Sequence, residues 1–355
     1  MARKEKLLGV QYLRGIAALM VAYYHLQSQI PAFTAELSFD RIVNSARLSS
    51  GVYVFFVVSG FIMYVTGRKL SAGDFVWRRL TRIIPLYWAV TIMVCLLALA
   101  EPRVLHRTDV TLDFFIKSLL FIPYANPTQQ NLFFPILVPG WSLNYEMAFY
   151  GLFAAALFAP LRWRMWIVGI ALAMCVLAGM IHSGPEMRSE WGFYTSNRLL
   201  LFMAGLGLGA VYTRLQLPKL VCAIFIGAGF WLILANFPSL GMIWIAQLLG
   251  SVAIVTGAVI WECQYGLPRW RALLLLGDAS YSIYLVHLFA FGLTRELWKR
   301  VPLHGIFGAT AFGIVSMAMV VGIAVVTYRV IERPASTLMI RRHDVESHHP
   351  LSQVQ

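Results

Sequence analysis

Ten apolar runs, each close to the length that crosses a bilayer, leave this chain one kind of fold. A hydrocarbon core of ~30 Å takes about 20 residues of helix. Runs of that order lie at about 9–30, 48–67, 82–100, 142–160, 164–182, 197–214, 219–236, 240–262, 273–296 and 305–331. The pattern predicts an all-α, polytopic membrane protein of about ten transmembrane helices, one domain over 1–340 with a mobile cytoplasmic tail at 341–355. Composition agrees: 59% of the 355 residues are hydrophobic and 13% charged, too few charges to solvate a globule of this size. An eleventh apolar stretch, FFIKSLLFIPY at 114–124, is too short and too charged to span, and reads as re-entrant or interfacial.

The opening MARKEK followed by apolar residues imitates a secretory signal, but Arg14 interrupts the apolar region and no small-residue cleavage site follows. The segment is therefore kept as the first helix. With the N-terminus in the cytoplasm, the cytoplasmic segments hold eighteen Lys and Arg and the outer segments ten, with Arg14 within the membrane. That is the bias of the positive-inside rule, and it puts both termini in the cytoplasm. The formal charge of +13 is then mainly a topology signal, with a contribution from anionic lipid or a phosphorylated ligand at the inner face. It does not argue for nucleic acid. Cys95, Cys175, Cys222 and Cys263 lie in or beside apolar segments without metal-type spacing, so they read as packing residues, and no metal is expected. The three histidines of the tail HDVESHHPLSQVQ read as solvated rather than as a metal tract.

Within this frame a few polar residues stand out. A charge at bilayer depth costs roughly 2.5 to 3.5 kcal/mol on insertion scales, yet LRGIAALMVAYYHLQ puts Arg14 and His25 inside the first helix. Eleven residues at 100° each come within ~20° of three full turns, so the two share a face about 16 Å apart. Taken singly, each is explained by snorkelling or packing; together they point to chemistry. The second helix has Gly51, Ser59 and Gly60 among aromatics, small residues that permit close helix approach. In WRRLTRIIPLYW, Arg79 and Arg82 stand at i and i+3 near the cytoplasmic surface, with Pro85 interrupting the helix and Tyr87 and Trp88 as interfacial anchors. Topology alone places basic residues there, but a pair of guanidinium groups is also shaped to clamp phosphates. GWSLNYEMAFY sets Glu146 about one and a half turns below the outer surface. In LGDASYSIYLVHLF, Ser280, Tyr284 and His287 fall on one face. His25, Glu146 and His287 are thus expected in the outer half, where a carboxylate could orient a histidine acting as general base. The bland alternative is that Glu146 braces its helix.

In order along the chain, LRGIAALMVAYYH, FFVVSGF, RRLTRIIPLYW, WSLNYEMAFY, LGDASYSIYLVH and VIERP resemble the motifs of the membrane-bound acyltransferase 3 family. The resemblance covers about residues 7 to 335 and is nearest to exopolysaccharide-modifying acetyltransferases. It implies an O-acyltransferase of the bacterial inner membrane that takes its acyl group, expected to be acetyl, from acyl-CoA. The acceptor would be a sugar hydroxyl on a lipid-linked or polymeric glycan, with membrane lipid the other partner and no permanently bound cofactor. Arg14 and His25 are the residues it implicates in transfer, and Arg79 and Arg82 those that handle the donor. Glu146 joins the catalytic set, with Ser59, Tyr284 and His287 in supporting positions. His25 as general base and His25 as covalent nucleophile both stay open. Donor phosphates at Arg79 and Arg82 would let the thioester reach His25, since the pantetheine arm is about as long as the Arg14-to-His25 separation. Many relatives carry a hydrolase-like domain after the ten helices; without one, acceptor choice is expected to lie in the outer loops. The loop at 101–140, with Tyr124, Asn126, Gln129, Gln130, Asn131, Phe133 and Phe134, has the inventory for sugars. The rival from another class is a transporter or flippase, since intramembrane Arg, His and Glu also build transport pathways. No inverted repeat supports it.

Overall fold

The computed structural model describes residues 7–27, 45–100, 111–126, 132–181, 188–301, 303 and 305–339; the tail expected at 341–355 lies outside them. Among the described residues the architecture is all-helical. Along the chain come α1 (Leu8–Gln27), α2 (Gly51–Ile62), α3 (Ala72–Ala100), α4 (Leu112–Leu119), α5 (Trp141–Ala156), α6 (Leu161–Ile181) and α7 (Glu190–Tyr194). They are followed by α8 (Leu199–Val211), α9 (Lys219–Leu234), α10 (Leu240–Tyr265), α11 (Arg271–Asp278), α12 (Ser280–Trp298) and α13 (Gly305–Thr327). The only β pairing among these residues is an isolated bridge between Ala125 and Phe133.

Among the described residues each of the ten apolar runs is mainly helix, and the chain is a multi-pass membrane protein. Five stretches are individually long and apolar enough to cross: Arg47–Gly67, Ala72–Ala100, Leu161–Ile181, Leu240–Tyr265 and Phe307–Met339. The number is six if the bent pair α11 and α12 makes one span. The other runs are helical but short, as α8 with 13 residues and α9 with 16, or less apolar, as α1. The stretch at 114–124 forms the eight-residue α4, too short to cross.

Two compact units are distinguished: Met1–Arg68 with Gly169–His182 and Thr195–Val325, and Lys69–Val168 with Ser183–Tyr194 and Val326–Gln355. In the first unit, α1 is fixed at its start by a distant residue. The Glu262 carboxylate accepts from the backbone N–H of Leu8 at 2.5 Å and of Gly9 at 2.8 Å, filling two of the donors that a helix N-terminus leaves open. One turn on, the Tyr12 hydroxyl donates to the Pro268 carbonyl and accepts from the Trp270 N–H. Helices α2 and α8 touch backbone to backbone, because a Cβ on Gly60 would overlap the Phe202 carbonyl oxygen and one on Gly205 that of Val57. The run at 273–296 is not one helix, as its apolar continuity suggested. It breaks at Ala279 and bends by 73°. Gly277 packs so closely on α1 that a Cβ there would overlap the Gln11 carbonyl oxygen, and Ala279 takes φ −86°, ψ 4°, off helical geometry.

In the second unit α3 is 29 residues long, about 43 Å by the helical rise. It begins ten residues before the apolar run that marked it. Pro85 does not interrupt it but lies inside it. A proline deprives the carbonyl four residues back of its N–H donor, and here that carbonyl, of Thr81, accepts from the Ser336 hydroxyl at 3.3 Å. Tyr87 is no interfacial anchor either: it is fully buried and stacks on Phe121 at 4.6 Å. Its hydroxyl donates to the Ser118 carbonyl and the Trp88 indole to that of Leu119, so the two side chains close the C-terminal end of α4. Phe75, Phe149, Phe153 and Tyr145 fill the centre of this unit, with Tyr145 stacked on Phe193 at 3.9 Å. Cys95 packs with Phe114 and Ile136, a packing cysteine as its setting suggested.

Candidate active site

The polar residues singled out in the sequence collect into two groups, one in each unit. In the first, α1 carries half-buried Arg14 and His25, and α12 carries Tyr284 and fully buried His287. The rings of His25 and His287 lie 5.0 Å apart, centroid to centroid, tilted by 32°. Tyr24 meets His25 edge-on at 4.8 Å, Phe55 of α2 meets Tyr284 at 5.9 Å, and Phe291 backs His287 at 6.0 Å. His287 Nδ1 is 2.8 Å from the Tyr284 carbonyl oxygen. A carbonyl can only accept, which assigns the proton of a neutral His287 to Nδ1 and leaves Nε2 a bare lone pair. Among the described residues Nε2 has no hydrogen-bond partner, nor has the buried hydroxyl of Ser280. Ser59 is half-buried on α2, one turn beyond Phe55.

In the second unit the Arg79 guanidinium sits over the rings of Phe75 at 5.6 Å and Tyr150 at 5.5 Å. It lies within electrostatic reach of Arg82 and of Glu146. The Tyr150 hydroxyl donates to the Glu146 carboxylate. Two guanidinium groups against one carboxylate leave a net positive patch, and Arg79 Nε is without a partner among the described residues. Such a patch suits phosphate. From the sequence, Glu146 is expected far from these arginines, toward the opposite face of the membrane. They stand level instead, for two reasons of length. Helix α3 starts well before residue 82, so Arg79 is two turns inside it, and α5 is entered through a buried turn at Val138–Gly140 rather than from the surface.

Two contributors were missed in the sequence. Tyr150, four residues after Glu146, was legible as an i,i+4 partner; Glu262, 254 residues from Leu8, carried no local signal. In the loop at 101–140, expected on the outer side, Asn126 and Phe133 are buried, not offered to solvent. Tyr124 packs on Phe114 and under Lys117. Gln129, Gln130 and Asn131 lie outside the described residues. The loop's sugar-suited inventory is thus partly spent on its own packing. No group of metal-ligating side chains occurs among the described residues.

A family profile described as an acyltransferase domain matches residues 7–329. The exopolysaccharide production protein ExoZ of Rhizobium meliloti is 35% identical over 295 residues, 81% of this chain and 89% of that protein. The acyltransferase MdmB of Streptomyces mycarofaciens is 25% identical, over 94% of this chain and 92% of its own length. The O-acetyltransferase OatA of Staphylococcus aureus is 24% identical over 92% of this chain and 56% of its own. No solved structure matches.

Proposed function

Because the chain belongs to the acyltransferase-domain family, and is thus a multi-pass membrane acyltransferase, we propose that it moves an acetyl group from acyl-CoA to a sugar hydroxyl. The acceptor in this reading is an exopolysaccharide or another lipid-linked glycan, and the site is the bacterial inner membrane with both termini in the cytoplasm. The observation that carries the acceptor class is the 35% identity to an exopolysaccharide production protein across most of both chains. The acetyl group is supported by the relative named an O-acetyltransferase.

The residues divide the work by their chemistry. Arg79 and Arg82 hold the donor phosphates, with Glu146 and Tyr150 steadying Arg79. His25 takes the proton of the sugar hydroxyl as its oxygen attacks the thioester carbonyl; the C–S bond breaks, and the thiolate leaves with the proton returned by the imidazolium. The covalent alternative, in which His25 first carries the acyl group, uses the same nitrogen. Arg14 offsets negative charge on the donor or on the carbonyl oxygen of the transition state. Ser59, Tyr284 and His287 shape the surroundings of His25.

The test is transfer of radiolabel from acetyl-CoA by purified protein in lipid vesicles to isolated cell-surface glycan. Label should become alkali-labile on the sugar and vanish with His25→Ala at an unchanged melting temperature. Movement of glycan across the vesicle with no label incorporated would sink the reading in favour of transport.

A further inference from the structure

The His25–His287 pair admits a more specific assignment, which rests on the acyl-transfer reading above. His287 is fully buried, held in one tautomer by the Tyr284 carbonyl, and presents an Nε2 lone pair with no donor among the described residues. A buried acceptor left in that state is costly, and such orphans call for an explanation. The nearest ring is His25. With centroids 5.0 Å apart, rotation of the half-buried His25 ring about χ2 can bring one of its nitrogens to hydrogen-bond distance of His287 Nε2.

We propose that His287 is the positioning residue for His25: its Nε2 accepts the His25 ring N–H in the reacting state. That hydrogen bond fixes the His25 tautomer, so the opposite nitrogen of His25 is bare and faces the acceptor hydroxyl. In serine hydrolases a carboxylate plays this part; here a neutral imidazole does, with the Tyr284 carbonyl orienting it in turn. When His25 takes the hydroxyl proton it becomes an imidazolium, and its shared N–H strengthens toward His287 Nε2. When the proton passes to the departing thiolate, both rings return to their starting forms, so neither gains nor loses a proton over the cycle.

Two substitutions separate this role from a packing role. Asparagine places its amide near the position of Nδ1 and can keep the bond to the Tyr284 carbonyl; glutamine places its carbonyl oxygen near Nε2 and can keep the acceptor. The expected result is that His287→Asn lowers kcat roughly 10- to 100-fold, the range known for metal-binding histidines that lose the partner orienting them, at unchanged KM for acetyl-CoA. His287→Gln should recover most of that loss. The reverse order, Asn active and Gln inactive, makes the Tyr284 bond the point of the residue and overturns the proposal, as does wild-type kcat in both. Equal loss in both variants is resolved on the folded wild type. Nitrogen-15 NMR of labelled histidines, assigned by comparison with His287→Gln, should show the His287 proton on Nδ1; a proton on Nε2 ends the idea. Because the tautomer needs no turnover, it stands or falls apart from the choice of acyl donor and glycan.

Discussion

Replacing Glu262 by alanine should loosen the start of α1, and the structure sets the size of the effect. The carboxylate accepts from two backbone donors, Leu8 N–H at 2.5 Å and Gly9 N–H at 2.8 Å. Gly9 is buried, so water cannot readily replace the lost acceptor, and its orphaned N–H costs about 1–3 kcal/mol. Leu8 is half-buried, so its N–H is partly rehydrated and the loss is nearer the lower end of a helix cap, about 0.5–1 kcal/mol. Together the change amounts to about 1.5–4 kcal/mol for Glu262→Ala. Glu262→Gln keeps one acceptor oxygen but turns an amide donor toward the other N–H and removes the attraction between the carboxylate and the helix dipole, itself about 0.3–1 kcal/mol. Its cost should fall between wild type and alanine. The assay is thermal unfolding in one detergent, followed by a reporter in α1, with limited proteolysis at the N-terminus beside it. The ordering wild type, Gln, Ala is the expected outcome. Alanine indistinguishable from wild type would refute the cap, and glutamine worse than alanine would refute the reasoning about the second oxygen.

Arg79→Ala and Arg82→Ala should each raise the apparent KM for acetyl-CoA roughly 10- to 150-fold, since a charge-assisted contact to phosphate is worth about 1.5–3 kcal/mol; unchanged KM removes them from the donor site. Arg79→Lys should also be impaired, because an ammonium does not reproduce the guanidinium fork. Glu146→Gln and Tyr150→Phe should act through Arg79, raising donor KM more than they lower kcat, and a pure kcat effect would point to another role for Glu146. Gly60→Ala should destabilise by about 1–3 kcal/mol through overpacking against the Phe202 carbonyl, read as a lowered melting temperature; an unshifted melt would mean that α2 and α8 are not in backbone contact.

How much of this was legible in the sequence depends on range. The apolar runs gave every major helix, because a bilayer-length run needs no partner to declare itself. The histidine pair was within reach as well, since Arg14, His25 and His287 are costly where they stand and invite an explanation. What escaped depends on residues far apart. Pro85 reads as a helix breaker until Ser336 is seen to satisfy the Thr81 carbonyl. Tyr87 looks like an interfacial aromatic until Phe121 and Ser118 enclose it. The break at Ala279 falls within a continuous apolar stretch, where periodicity cannot distinguish one helix from two at an angle, and only the packing of Gly277 on α1 reveals it.

The Glu262 cap also bears on how the protein is made. Leu8 and Glu262 are separated by 254 residues, so at a synthesis rate of 5–20 residues per second the first helix waits roughly 13 to 51 s for its cap to be translated. The hydroxyl partner of the Thr81 carbonyl, Ser336, comes as late, 255 residues after it. In each unit, then, an early helix bearing costly polar groups is completed only by a segment translated 254 or 255 residues later. Until Glu262 is made, the helix that carries Arg14 and His25 starts with the Leu8 and Gly9 N–H groups lacking their native acceptor.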